Sequence, residues 1–274
     1  MSVTVHPVSL ALGAEIRGVD LRGELDEPTF EVIDRAWRDY KLLLFRDQVL
    51  TPQEQVRFTT HFGPVFRMGS KAYVSSGDDV RYISNVVEGA GAPNKPMLFH
   101  SDCTAFEQIV KAVALYAVEV PTHGGDTVFA NAQKAYEILP DSLKRRIANL
   151  SARHVHDYSI AIYDRRLSVD EMGPGAASAV HRVVWPHPED GKPVLFVNDL
   201  MTQQILDLEP DDGDALLREL LSYISDPRVT YTHKWRVNDL CIWDNRALQH
   251  GRTDFDPSEK RTLRRVPIAE PVAP

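Results

Sequence analysis

The stretch MLFHSDCTAF places an imidazole and a carboxylate two residues apart, at His100 and Asp102, inside otherwise apolar text. On an extended chain residues i and i+2 share a face, so the pair can aim at a common point. His250 has a similar setting. It follows the strand-like DLCIWDNRAL and precedes a loop that leads to a strongly basic segment. Two histidines and one carboxylate with open positions form the facial triad that suits non-haem iron(II) and leaves room for a chelating cosubstrate and oxygen. The same three ligands would also hold zinc, with a water in the fourth position, which is the arrangement of a hydrolase. No glutamate follows either histidine in a His-Glu-x-x-His pattern to act as its general base.

Arg261 and Arg265 lie eleven and fifteen residues beyond His250. Four positions apart, they share a face on a helix and on a strand alike. A planar guanidinium beside a metal is the natural partner of a carboxylate, through two parallel charge-assisted hydrogen bonds. A solvated basic edge is the plain alternative. The remaining candidates, His61, His154, His156, His181, His187 and His233, have no fixed partner in the sequence and are expected to be structural.

These residues need a scaffold. The chain has 274 residues and is 43% hydrophobic, enough for a sizeable core in one domain spanning 1–274. Its net charge of −8, from 39 acidic against 31 basic side chains, argues against a nucleic-acid binder held by phosphate contacts. Cys103 and Cys241 are too few for a disulfide framework and suit a reducing compartment. No basic start precedes a long apolar run, and no segment reaches the roughly 18 apolar residues of a membrane span. The expectation is a cytoplasmic protein without a membrane partner.

The positioning elements follow from pattern. VTVHPV predicts a strand, EPTFEVIDRAWRDY an amphipathic helix and KLLLFRD a buried strand. TPQEQVRFTTHFG predicts a helix capped by Thr51 with Pro52 in its first turn, ended by Gly63 and Pro64. VRYISNVV and VKAVALYAVEV read as strands. NAQKAYEILPDSLKRRIANL reads as a helical pair, capped by Asn131 and broken at Pro140. Residues 164–180 are the most loop-like part of the chain and a candidate active-site lid. The last third predicts strands at VVWPH, PVLFVN, VTYTHKW and DLCIWDN around one helix, EPDDGDALLRELLSYI. The sum is a mainly β fold with helices packed outside.

With these residues in view, His100-x-Asp102, HGGDTVFAN and WDNRALQH followed by Arg261 resemble the iron(II)- and 2-oxoglutarate-dependent dioxygenases typified by taurine dioxygenase and 2,4-dichlorophenoxyacetate dioxygenase. The resemblance spans nearly the whole chain and includes GAEIRGVDLR, LLLFRDQ and HFGP. It implies a double-stranded β-helix, a jelly-roll barrel holding iron at one open end. It further implies that His100, Asp102 and His250 ligate iron, and that Arg261 and Thr127 bind the far carboxylate of 2-oxoglutarate. Arg265, left free by that assignment, and Lys71 would bind an anionic substrate. Trp243, Asp244 and Asn245 would give structural support. Oxygen is then the second cosubstrate, and a dimer or tetramer the expected assembly.

KPMLF before His100 departs from the taurine enzyme, and ISNV and GGDT match the phenoxyacetate enzyme. Both point to an aryloxyalkanoate-like carboxylate as substrate. A sulfonate or alkyl sulfate dioxygenase and a biosynthetic hydroxylase or desaturase stay open within the family. A zinc hydrolase and a non-catalytic binding protein stay open outside it.

Overall fold

The computed structural model describes residues 3–67, 79–90 and 95–270. β1 (Thr4–Pro7) and β2 (Ala14–Arg17) pair antiparallel and are followed by α1 (Glu27–Tyr40), β3 (Leu42–Phe45) and α2 (Pro52–Thr59). Asp26 caps α1 by accepting from the Thr29 amide, and Lys41 ends it in the left-handed region. Thr51 and Glu54 form a full capping box on α2. Then come β4 (Arg81–Ser84), β5 (Met97–His100), β6 (Ala112–Glu119) and β7 (Thr127–Asn131). The helical pair is α3 (Ala132–Glu137) and α4 (Asp141–Ile147), with Asn131 accepting from the Gln133 and Lys134 amides. β8 (Ser151–Asp157), β9 (Ala176–Arg182), β10 (Val184–Pro186), β11 (Pro193–Leu195) and β12 (Thr202–Ile205) precede α5 (Pro210–Ile224). β13 (Thr230–His233), β14 (Leu240–Asp244), β15 (Leu248–Arg252) and β16 (Thr262–Ile268) complete the chain.

A seven-stranded sheet, ordered β1-β2-β3-β14-β6-β16-β4, faces a four-stranded sheet, ordered β13-β7-β15-β5. This is the jelly-roll architecture. The central strands of the large sheet read as unbroken apolar runs because both of their faces are buried. Leu43 and Phe45, Ala114 and Tyr116, and Leu240 and Ile242 pack against Ile33, Trp37, Phe58 and Phe62 of the covering helices. The alternate residues, Leu42, Leu44, Val113, Leu115, Cys241 and Trp243, turn inward to meet Phe129 and Leu248 of the small sheet. A third cluster wraps α3, α4 and α5 around the outside of the small sheet.

Several expectations are corrected. Residues 176–180 are not loop but part of β9, which pairs with β8 along its length. That strand is built of small residues with mostly exposed side chains, so it carries no apolar alternation to read. The strand before His100 ends at that residue, so Asp102 sits in a turn rather than on the same strand face. Cys103 completes the turn at φ 65. His250 lies within a strand, not at the edge of a loop, and the basic segment from Thr262 is a strand, one of the two geometries its spacing allows. Among the described residues no helix is long and apolar enough to cross a membrane.

Candidate active site

Register brings the two histidines together. His250 on β15 stands directly opposite His100 on β5, with ring centroids 4.3 Å apart. The register then slips, with the extra residue on β5, and Gly251 permits the close approach, because a Cβ there would lie 2.7 Å from the Met97 carbonyl oxygen. Asn245 holds the third member. Its side-chain oxygen accepts from the Asp102 amide at 2.8 Å, and its amide nitrogen donates to the Asp102 and Val110 carbonyls at 3.0 and 2.9 Å. The turn bearing Asp102 is thereby fastened to the end of β14.

His100, Asp102 and His250 each offer a donor atom, and these atoms lie within 4.8 Å of one another. The Leu98 carbonyl can only accept, so its 2.9 Å contact fixes the proton on His100 Nδ1 and leaves the Nε2 lone pair for the site. Burial lowers the pKa of both imidazoles, His250 to about 3, so each is neutral at physiological pH. Burial opposes ionisation of Asp102, but Arg265 and the two imidazoles outweigh it and hold its carboxyl well below the usual carboxylate range. Two neutral imidazoles and an ionised carboxylate are the protonation states a divalent cation requires of its ligands. The donor set therefore fits such an ion.

The triad opens into a cavity of about 590 Å³ between the two sheets. Thr127, on β7, lines it and accepts a hydrogen bond from Trp235 Nε1 at 2.9 Å. Indole N–H is donor only, so the threonine's own proton is available for another acceptor. Arg261 lies just before β16, with Nε donating to the Gly125 carbonyl at 2.9 Å. Gly125, at φ +66, is needed there because a Cβ would come within 3.0 Å of the Arg261 side chain.

The sequence-predicted cations fare differently. Arg261 and Arg265 both line the cavity, as their even spacing predicts, whereas Arg264 points to the helix side and stacks 4.2 Å over Tyr116. Arg265 is not left free. It donates to Asp102 Oδ2 at 2.8 Å, leaving Oδ1 as the oxygen nearer His100 Nε2. Lys71 lies outside the described residues. Trp243 packs 4.8 Å from His250, while Asp244 takes no part in the cavity and joins a buried network instead. His187 Nε2 donates to it at 2.8 Å and Arg246 Nε at 2.9 Å.

The lining residues that the sequence does not reveal in this role include Arg81, His156, Tyr163 and Arg252. His156 is buried, and burial and His100 lower its pKa to about 4. SARHVHD carries no hydrophobic period to mark the role of His156, and for the arginines only sheet register assigns one. The lining segment is 158–163, while residues 164–180 supply none of the lining.

Fold and site together define a jelly-roll enzyme of the Taurine catabolism dioxygenase TauD, TfdA family, to which this chain belongs: the family matches residues 4–266. The chain is 31% identical over 267 residues to the (S)-phenoxypropionate/alpha-ketoglutarate-dioxygenase of Sphingobium herbicidovorans, covering 94% of this chain and 92% of the relative. It is 32% identical over 278 residues to the alpha-ketoglutarate-dependent sulfate ester dioxygenase of Pseudomonas putida, covering 98% and 90%. Among solved structures, AAD-2 in complex with Mn(II) and N-oxalylglycine superposes with a TM-score of 0.81 at 26% identity, over the full length of both chains.

Proposed function

We propose that this protein is an iron(II)- and 2-oxoglutarate-dependent dioxygenase that hydroxylates a C–H bond of a small anionic organic substrate, an aryloxyalkanoate-like carboxylate by preference. The observation that carries this reading is the clustering of His100, Asp102 and His250 within 4.8 Å at a cavity that also presents Thr127 and Arg261. When bound, the iron couples oxidative decarboxylation of 2-oxoglutarate, to succinate and carbon dioxide, to activation of oxygen.

The chain's own residues do the rest. His100, Asp102 and His250 hold the metal on one side and leave the other side to the cavity. With Arg265 engaging Oδ2, Asp102 would offer its other oxygen to the metal. Arg261 and Thr127 grip the far carboxylate of 2-oxoglutarate, which fixes its orientation. Arg265 and Lys71 draw the substrate's anionic group, and Met97, Ile83, Leu115 and Met201 supply apolar wall for its body. Hydroxylation beside an ether or ester oxygen would yield a product that collapses, so cleavage needs no second site.

A sulfate ester is the second reading. It is favoured by the direct cross-strand pairing of Arg265 with Arg81, which sets two guanidinium groups on one cavity wall.

The test is succinate formation by anaerobically iron-loaded protein given 2-oxoglutarate and oxygen, across phenoxyacetates, phenoxypropionates, alkyl sulfates and alkylsulfonates. Succinate stimulated by the aryloxyalkanoates, with matching phenol release, is expected. Stimulation by alkyl sulfates alone would select the second reading. A zinc hydrolase or a binding protein would release no succinate.

A further inference from the structure

The cavity contains a buried cation that no role has absorbed. Arg252, on β15, is 5% exposed and lines the same cavity as Arg261. The register of β15 on β7 sets it directly opposite Thr127, so the two side chains emerge side by side on one sheet face. Its planar group stacks 5.4 Å over Phe255 and donates from one terminal nitrogen to the Lys95 carbonyl, which fixes the fork in place.

Two buried guanidinium groups close together repel, and a low-dielectric setting magnifies the cost. The effect registers on Arg261, whose pKa is lowered to about 9 first by burial and then by Arg252. Asp126 offsets this only in part. An anion that met both groups would relieve this repulsion. A carboxylate has two oxygens and about four acceptor directions, enough for two guanidinium groups and a hydroxyl.

We infer that Arg252 is a binding residue for the far carboxylate of 2-oxoglutarate, forming one anion subsite of the cavity with Arg261 and Thr127. This rests on the proposed cosubstrate. It assigns to β15 two duties two residues apart, a metal ligand at His250 and a carboxylate contact at Arg252. Arg252 stands on β15 and Arg261 just before β16, so neither substitutes for the other. Their combined field selects a dicarboxylic 2-oxo acid over a monocarboxylic one.

The experiment compares two ligands on Mn(II)-loaded protein by calorimetry under anaerobic conditions. 2-Oxoglutarate carries the far carboxylate; 2-oxopentanoate has the same chain length without it. Wild-type protein should bind the former more tightly by at least about 100-fold. Arg252→Gln should weaken 2-oxoglutarate by about 10- to 100-fold and leave 2-oxopentanoate within about twofold. Arg252→Lys, which keeps the charge but loses the fork, should give an intermediate loss and serves if the glutamine variant does not fold. Equal weakening of both ligands, or of neither, in whichever variant folds would overturn the assignment. If wild-type protein itself failed to discriminate the two ligands, the cosubstrate reading would fall, and this inference with it.

Discussion

Arg265 and Asp102 form an ion pair inside the cavity, with a terminal guanidinium nitrogen 2.8 Å from Asp102 Oδ2. The pair joins β16 of the large sheet to the turn that follows β5 of the small one. On the proposed reading, the arginine assigned to the substrate also supports a candidate metal ligand. Arg265→Ala is therefore expected to do two things at once: raise the KM for the primary substrate, and weaken metal affinity by about 10- to 100-fold. Metal titration alongside steady-state kinetics checks this. Unchanged metal affinity would show that Asp102 keeps its orientation without the arginine.

Asp102→Ala removes one of three donor atoms that lie within 4.8 Å of one another. Turnover should fall below detection and bound iron should be lost on desalting, while the far-ultraviolet circular dichroism stays native. Near-normal succinate formation would refute the triad.

Thr127→Val keeps shape but loses the hydroxyl that accepts from Trp235 Nε1. The expected result is a rise of roughly tenfold in the KM for 2-oxoglutarate, with a stability loss of about 1–3 kcal/mol from the unpaired indole N–H. The KM for the primary substrate should hardly move.

Asp244→Ala leaves Arg246 and His187 without the carboxylate they share, in a fully buried setting. Breaking such a pair costs roughly 3–5 kcal/mol. Arg246 retains Glu189 and Glu270, so the lower end is expected. Chemical denaturation gives the value. The affinity of the folded protein for 2-oxoglutarate should be unchanged, because Asp244 does not line the cavity.

His154, on β8, is buried and its pKa is lowered from 6.5 to about 3 by that burial, with a smaller contribution from His181. The unfolded chain takes up the proton first, so stability is lost as pH falls from about 6.5 towards 3, at about 1.4 kcal/mol per pH unit for this residue. Denaturation midpoints at pH 7 and pH 5 should differ in the wild type, and the difference should shrink in His154→Leu. An unaltered slope would assign the acid sensitivity to other groups.

Much of this molecule was legible beforehand, for reasons its residues make plain. α1 declares itself through a capping aspartate, a first-turn proline and buried Ile33, Ala36 and Trp37 at helical spacing. β3 shows as LLLF because both of its faces are covered. The separate three-stranded sheet β12-β8-β9 is another matter. β8 buries histidine and aspartate, and β9 leaves most of its side chains exposed, so neither carries a hydrophobic period. The site divides in the same way. His100, Asp102 and His250 stand out because two residue types recur in short motifs, whereas Arg252 and Arg81 acquire meaning only from their register opposite Thr127 and Arg265. Asp102 reached its place through a turn and the Asn245 amide, not through strand alternation.

The metal-binding candidates and the carboxylate-binding candidates stand on or beside strands of the two sheets, while much of the remaining cavity wall comes from the 158–163 segment and from the edge strand β4. The two sets of residues are separable in inheritance. Changes at Tyr158, Ile160 or Ile83 can reshape what the cavity admits without touching the β5–β15 register that brings the candidate metal ligands together. A lineage built on this scaffold can therefore exchange one substrate for another by edits at the rim, keeping a single oxidative reaction while its nutrition or its products diversify.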